Sequence, residues 1–244
     1  MTLTLLSSGV AGLALLLLYA AGPLYEVGAL SLASAFTVLR WAAYLGIATM
    51  AVSLVTGGLA YRRAQRLGVW LAGVTFVAGI VAFGIPFQWQ RSARGTPPIH
   101  DISTDLENPP TFVAVALLRA DAPNGLDRPP LLAEQQRKAY PDLAPVTLPA
   151  SQEQVFDRAL AVAQDLGWRI VTADKTAGRI EATATTKWFG FEDDVVIRLT
   201  PWGSGTRVDV RSVSRVGVGD AGTNARRIRE YLGRWSLVAR SGSW

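Results

Sequence analysis

The hydrophobic pattern divides the chain into two unlike parts. Trp41 to Tyr61 is a run of 21 residues without a charge, followed by Arg62-Arg63-Ala64-Gln65-Arg66 and then a second apolar run from Leu67 to Trp89. At ~1.5 Å per helical residue, each run spans the roughly 30 Å hydrocarbon core of a bilayer, and buried helices of soluble proteins rarely stay apolar for so long. A third uncharged run, Leu3 to Ala21, closes at Gly22-Pro23. Trp41, Tyr44 and Tyr61 bracket one run, and Trp70 and Trp89 the other, where amphipathic rings sit in a headgroup layer. The pattern predicts an anchor over 1–90 with three membrane helices at about 3–21, 41–61 and 67–89. A cleaved signal peptide is the competing reading of the first run, with Ala33-Ser34-Ala35 as its cleavage site. No Lys or Arg precedes the run and that site lies well past it, so an uncleaved span is expected. Glycines 9, 12, 46, 57, 73 and 79 recur in the runs and favour close helix packing.

Beyond the anchor the period changes. Gln90 to Pro98 is a polar connector, and 99–112 reads as an ordered loop because its prolines are too closely spaced for a regular element. Val113 to Leu118 reads as a short strand or a turn of helix. Asp121 to Pro149, with Pro129-Pro130, Pro141, Pro145 and Pro149, is expected to wrap the surface, with a short helix around 133–139. These segments form a connector and proline-rich region over 91–150. From Ser151, helical spacing of Val155, Ala159, Val162 and Leu166 follows a Ser151/Gln154 capping box and stops at Gly167. Alternation then gives four strands: about 168–172, 179–184, 194–200 and 206–213. A last helix, about 223–239, puts Ile228, Leu232, Trp235 and Val238 or Ala239 on one face. The 151–244 core is therefore expected to be α+β, an antiparallel four-stranded sheet flanked by two helices.

Charge refines this division without suggesting nucleic acid as a partner. The sequence pI of 9.9 comes largely from the anchor: from Arg91 onward, 20 basic residues stand against 18 acidic ones, a net of +2. That is too little to argue for phosphate-backbone binding. Within the second part, 91–197 holds 11 basic and 15 acidic residues, and 198–244 holds 9 and 3. The two stretches are expected to fold against each other, with a lipid-facing role for Arg226, Arg227 and Arg229 as the alternative. Three arginines in the five-residue link place it in the cytoplasm by the positive-inside rule, and the second part outside. Arg40, Arg91 and Arg94 count the other way. Cysteine is absent, which excludes disulfides and thiolate chemistry.

Candidate chemistry is sparse. His100, the one histidine, stands beside Asp101, a pairing that could orient an imidazole for base catalysis with Ser212 or Ser214. It could equally hydrogen-bond loop backbone. Asp101, Asp105 and Glu107 are the carboxylates that could join His100 around a hard cation. Gly217-Val218-Gly219-Asp220-Ala221-Gly222 has dinucleotide-fingerprint spacing, but no second strand follows its helix. Its amides, near Arg215 and Arg226, could instead hold an anion or lipid phosphate. Trp188-Phe189-Gly190-Phe191 is an aromatic turn, expected to close the edge of a core, with a dip into a membrane or the lining of an apolar pocket as the alternatives.

Three stretches, Pro97-Pro98-Ile99-His100-Asp101-Ile102-Ser103-Thr104-Asp105, Tyr140-Pro141-Asp142-Leu143-Ala144-Pro145, and Arg211-Ser212 through Ser214-Arg215, Gly217, Asp220, Asn224 and Arg227-Ile228, resemble the domain of unknown function 1499 family. The resemblance covers about 96–238. It implies a bacterial or plastid membrane-associated protein with its domain behind N-terminal spans, and no particular activity. By analogy, the helix, sheet, helix order is similar to helix-grip modules of cell-envelope lipoproteins, which bind partners. His100, Asp101, Ser103, Asp105, Arg211, Ser212, Ser214, Arg215, Asp220, Asn224 and Arg227 are the candidate functional or structural positions. The expected protein is a multi-pass inner-membrane envelope protein without cofactor, metal or nucleic-acid partner. Its outer domain is expected to bind a protein, lipid or apolar ligand. The alternatives are a tethered hydrolase using His100 and Asp101, and an anion site at the glycine loop.

Overall fold

The computed structural model describes the backbone of residues 2–241 and the side chains of residues 5–235. It separates into two compact units, Met1–Ser92 with Lys187–Gly190, and Ala93–Thr186 with Phe191–Trp244.

The first unit contains α1 (Thr2–Glu26), α2 (Leu32–Arg62) and α3 (Arg66–Gly95), each long and apolar enough to cross a membrane. All three outrun the apolar stretches that announce them. The first helix continues through Gly22-Pro23, because a proline removes only its own N–H and three further residues complete the turn. The second starts at Leu32, where the Ser31 hydroxyl accepts the Ser34 N–H, so a cap and not the apolar boundary sets its beginning. The third carries the expected connector as helix to Gly95, with Pro86 inside it. Small and hydroxylated side chains are buried, among them Ala42, Gly46, Thr49, Ser53 and Thr75, while Leu54, Val55 and Trp70 face outward. A Cβ on Gly46 would come 2.8 Å from the Gly79 carbonyl oxygen, so only glycine allows this approach. Thr75 Oγ1 bonds Ser53 Oγ at 2.7 Å and accepts from Ser7 Oγ at 3.3 Å, linking all three helices. Phe189 is buried in this unit with ring centroids 6.0, 5.9 and 5.4 Å from Tyr25, Phe36 and Trp89, so part of the aromatic turn does close a core.

The second unit is built on an antiparallel sheet of six strands: β1 (Asp101–Ser103), β2 (Val146–Leu148), β3 (Arg169–Asp174), β4 (Arg179–Thr185), β5 (Glu192–Trp202) and β6 (Gly205–Ser214). The order is β1-β6-β5-β4-β3, and β2 also pairs with β6. The expectation of four strands is therefore corrected by two. Strand β1 lies in the stretch read as loop and β2 in the proline-rich region, and each has only three residues, too few for a period-2 signal. They lie end to end on one edge of β6, with β2 against Thr206–Val208 and β1 against Arg211–Val213.

Helices α4 (Pro130–Ala139), α5 (Gln152–Asp165) and α6 (Thr223–Ser241) complete the unit. The Ser151/Gln154 capping box starts α5 as expected. The main core joins Val155, Phe156 and Ala159 of α5, and Ile228, Tyr231 and Trp235 of α6, to Ile180, Ile197 and Val210 of the sheet. The expected positions Val238 and Ala239 lie outside the described side chains. Tyr231 and Trp168 stack at 5.3 Å within this core.

Candidate functional site

Alternation along β4, β5 and β6 sends every second residue to the helix-free face of the sheet, and those residues are largely charged. Arg179, Glu181, Asp194, Arg198, Arg207, Asp209, Arg211 and Arg215 belong to this set, with Asp101 from β1. In the structure Asp101, Glu181, Asp194, Asp209 and Arg211 are buried, because residues 104–128 cross the face as a strap.

Paired charges hold the strap down. Asp101 Oδ2 accepts from Arg211 Nη2 at 2.8 Å, and its Oδ1 accepts from Arg211 Nε and from Arg128 Nη1, each at 3.0 Å. Arg211 also donates to the carbonyls of Pro110 and Leu126, gripping the strap at two points. Arg119 of the strap reaches Asp194 at 2.5 Å, and Arg215 donates Nε to the same carboxylate at 2.9 Å. Burial alone would raise the Asp194 pKa, but bonds from Arg215, Thr183 and Arg119 outweigh it and leave the carboxyl below its ordinary value. Arg215 also pairs with Glu192, and its own pKa rises because of the Asp194 bond. Asp105 and Asp209 together hold Arg198 and Arg207. Glu181 receives the backbone N–H groups of Val113 and Val115 at 2.9 and 2.8 Å. Phe112 and Val115 complete the seal, packing on Val196 and Val213.

Ser212, Ser214, Asp220, Asn224 and Arg227 lie on the opposite side, about the start of α6. Ser212 Oγ donates to Asn224 Oδ1 at 2.6 Å, and Asn224 Nδ2 donates to Ser214 Oγ and to the His100 carbonyl. Arg227 donates to Ser212 Oγ and Asn224 Oδ1, and pairs with Asp193 at 2.5 Å. Arg211 and Ser212, adjacent in sequence, thus serve different clusters on the two sides of β6. His100 and Asp101 are parted in the same way: His100 Nδ1 lies 3.3 Å from the Val218 carbonyl oxygen, and Asp101 is held by its arginines. The serines bond Asn224, and Ser103 donates to the Asp105 carbonyl. At the glycine loop, Asp220 accepts the Gly222 and Asn224 N–H groups at 2.8 and 2.7 Å, so these amides already have an anion of the chain's own. Burial raises the Asp220 carboxyl above its ordinary value. Among the described residues, no group of three or more metal-ligating side chains is placed to hold a metal ion.

Two surface features of the described residues stand apart from these clusters. A groove of about 200 Å³ near α6 is lined by Trp168, Thr185, Thr223, Arg226, Arg227 and Glu230. The second is the outer edge of the strap, where Val113, Leu117 and Leu118 are 52%, 83% and 51% exposed. Sequence reading missed Arg119, Arg128 and Glu181, the residues that fix this edge. One signal for Arg119 was present: a lone arginine in Phe112-Val113-Ala114-Val115-Ala116-Leu117-Leu118-Arg119-Ala120 implies an internal partner.

Three helices apolar enough to cross a membrane, followed by an antiparallel sheet domain with helices on one face, define an α+β domain behind a candidate membrane anchor. The chain belongs to the family described as Protein of unknown function (DUF1499), whose model matches residues 101–234. No curated protein matches the chain.

Proposed function

We propose that this is a multi-pass protein of the bacterial inner membrane whose sheet domain, outside the cytoplasm, binds a protein, lipid or apolar ligand and does not catalyse. The observation that carries this reading is the strap. Its inner side is fixed by buried ion pairs and its outer side presents apolar residues, so the protein maintains a rigid hydrophobic edge in the open. Exposed apolar clusters of that kind mark interaction surfaces. The space between sheet and helices is filled by side chains such as Tyr231, Trp168 and Ile197, which favours the strap over an internal groove as the contact. Small residues inside and large apolar ones outside in the helical unit support lipid as its solvent. The hydrolase alternative has against it the separate engagements of His100 and Asp101.

A photoreactive benzophenone side chain at Leu117 of the full-length protein, activated in native membranes, tests the reading. Adducts at 117 in clear excess over those at exposed Glu153 are expected. Equal yields at the two positions would remove the strap as a contact. A reporter active only outside the cytoplasm, fused at Trp244, is expected to be active, and activity of a cytoplasm-only reporter there would reverse the orientation.

A further inference from the structure

We infer that the outer edge of the strap inserts into the surface of a lipid bilayer. This rests on the proposal that the strap is the contact surface, and it names the contact's partner. From Thr111 to Ala120 the only charge is Arg119, and Arg119 is buried against Asp194. Every outward side chain from Val113 to Ala120 is therefore apolar: Val113, Ala116, Leu117, Leu118 and Ala120 are exposed, on and beside the 3-10 turn Val115–Leu118.

Several N–H groups of this turn have acceptors within the protein. Entering lipid is costly for any N–H group left without an acceptor. Here the buried Glu181 carboxylate takes the Val113 and Val115 N–H groups, the Ala114 carbonyl takes that of Leu117, and the Ala116 carbonyl takes that of Arg119. Covalent reach supplies the rest. Helix α3 ends at Gly95 and β1 begins at Asp101, so, with α3 across a membrane, about 20 Å of extended chain at most separates the domain from it. The bilayer is then the apolar partner present at the highest local concentration. With no outward charge on the turn, insertion requires neither anionic lipid nor low salt.

The test uses the full-length protein, whose lack of cysteine allows a single environment-sensitive nitrobenzoxadiazole probe at Leu117→Cys, with Leu118→Cys as a second site and Glu153→Cys as the exposed control. Leu117 is 83% exposed, so the label disturbs little packing. In proteoliposomes of phosphatidylcholine alone, the expected result is a shift to shorter wavelength at 117 and 118, quenched by lipid-borne nitroxides, with the probe at 153 unshifted. A shift without lipid quenching would mean cover by protein, including a second copy, and would overturn insertion while leaving the strap as a contact surface. Water-like emission in proteoliposomes would also overturn insertion. The same probe in native membranes would then decide the wider reading, which stands if the strap is shielded there and falls if it is not.

Discussion

Replacing Asp194 by Asn tests whether ion pairs hold the strap to the sheet. The side chain is fully buried and bridges Arg119 of the strap to Arg215, the residue that follows β6, with Thr183 donating to it at 2.7 Å. Asparagine preserves the shape and removes the charge, leaving the buried Arg119 and the partly buried Arg215 with less than their full counter-charge. Removing one partner from a buried pair costs about 3–5 kcal/mol, a large share of the roughly 5–15 kcal/mol that stabilises a typical domain. At about 2–4 °C per kcal/mol for a protein of this size, the strand transition should fall by about 6–20 °C. Circular dichroism melts of the full-length protein in detergent provide the assay. The deficit should also depend on pH. Because the folded Asp194 pKa lies below its ordinary 3.8, its contribution is complete above that value and is lost as pH falls through the folded one. The gap between parent and variant should therefore close in acid. Replacing Arg119, Asp194 and Arg215 together by Met, Leu and Met should recover part of the loss. A variant melting with the parent at neutral pH, or a gap that persists unchanged in acid, would refute a charge-held strap.

Three further outcomes are expected. Asn224→Ala leaves the His100 carbonyl, the Ser212 and Ser214 hydroxyls and Arg227 short of a partner, and should lower stability by ~2–4 kcal/mol, read as a reduced denaturant midpoint at unchanged slope; a loss below ~0.5 kcal/mol would contradict it. Carboxyl NMR titration should place Asp194 below and Asp220 above the ordinary value of 3.8, so Asp220 contributes most below that pH and its contribution declines as pH rises toward its folded value. The reverse order would overturn the assigned environments. Gly46→Ala should lower helical thermal stability in detergent, because its Cβ would lie 2.8 Å from the Gly79 carbonyl oxygen, whereas Gly73→Ala, with nothing within 4 Å, should not; equal melts would reject the close crossing.

What could be read in the chain follows the length of each pattern. Strands β3 to β6 and helices α5 and α6 carry six or more residues of regular period, and Ser151, Gln154 and Gly167 mark their ends by local chemistry. Strands β1 and β2 exist only through β6, which lies far along the chain, so no local signal announces them. The strap over the charged face has no local signal for a related reason. The burial of Asp101, Asp194 and Arg211 depends on a remote segment that brings Arg119 and Arg128 as partners. The attraction between the acidic and basic stretches was legible from composition, and Asp193 with Arg227 and Asp142 with Arg229 realise it. His100 and Asp101 invited a pairing because they are neighbours in sequence, yet neighbours on an extended chain point apart.

Strand β6 sets an order of events during synthesis. Segments 101–103 and 146–148 leave the ribosome well before 205–214, the one strand that both join. Until β6 is made, the sheet cannot close over its long-range pairings, which are the slow part of any β fold. The three leading helices, complete by Gly95, are made while the sheet domain is still an open chain. The last strand to be made is thus the one that completes the sheet.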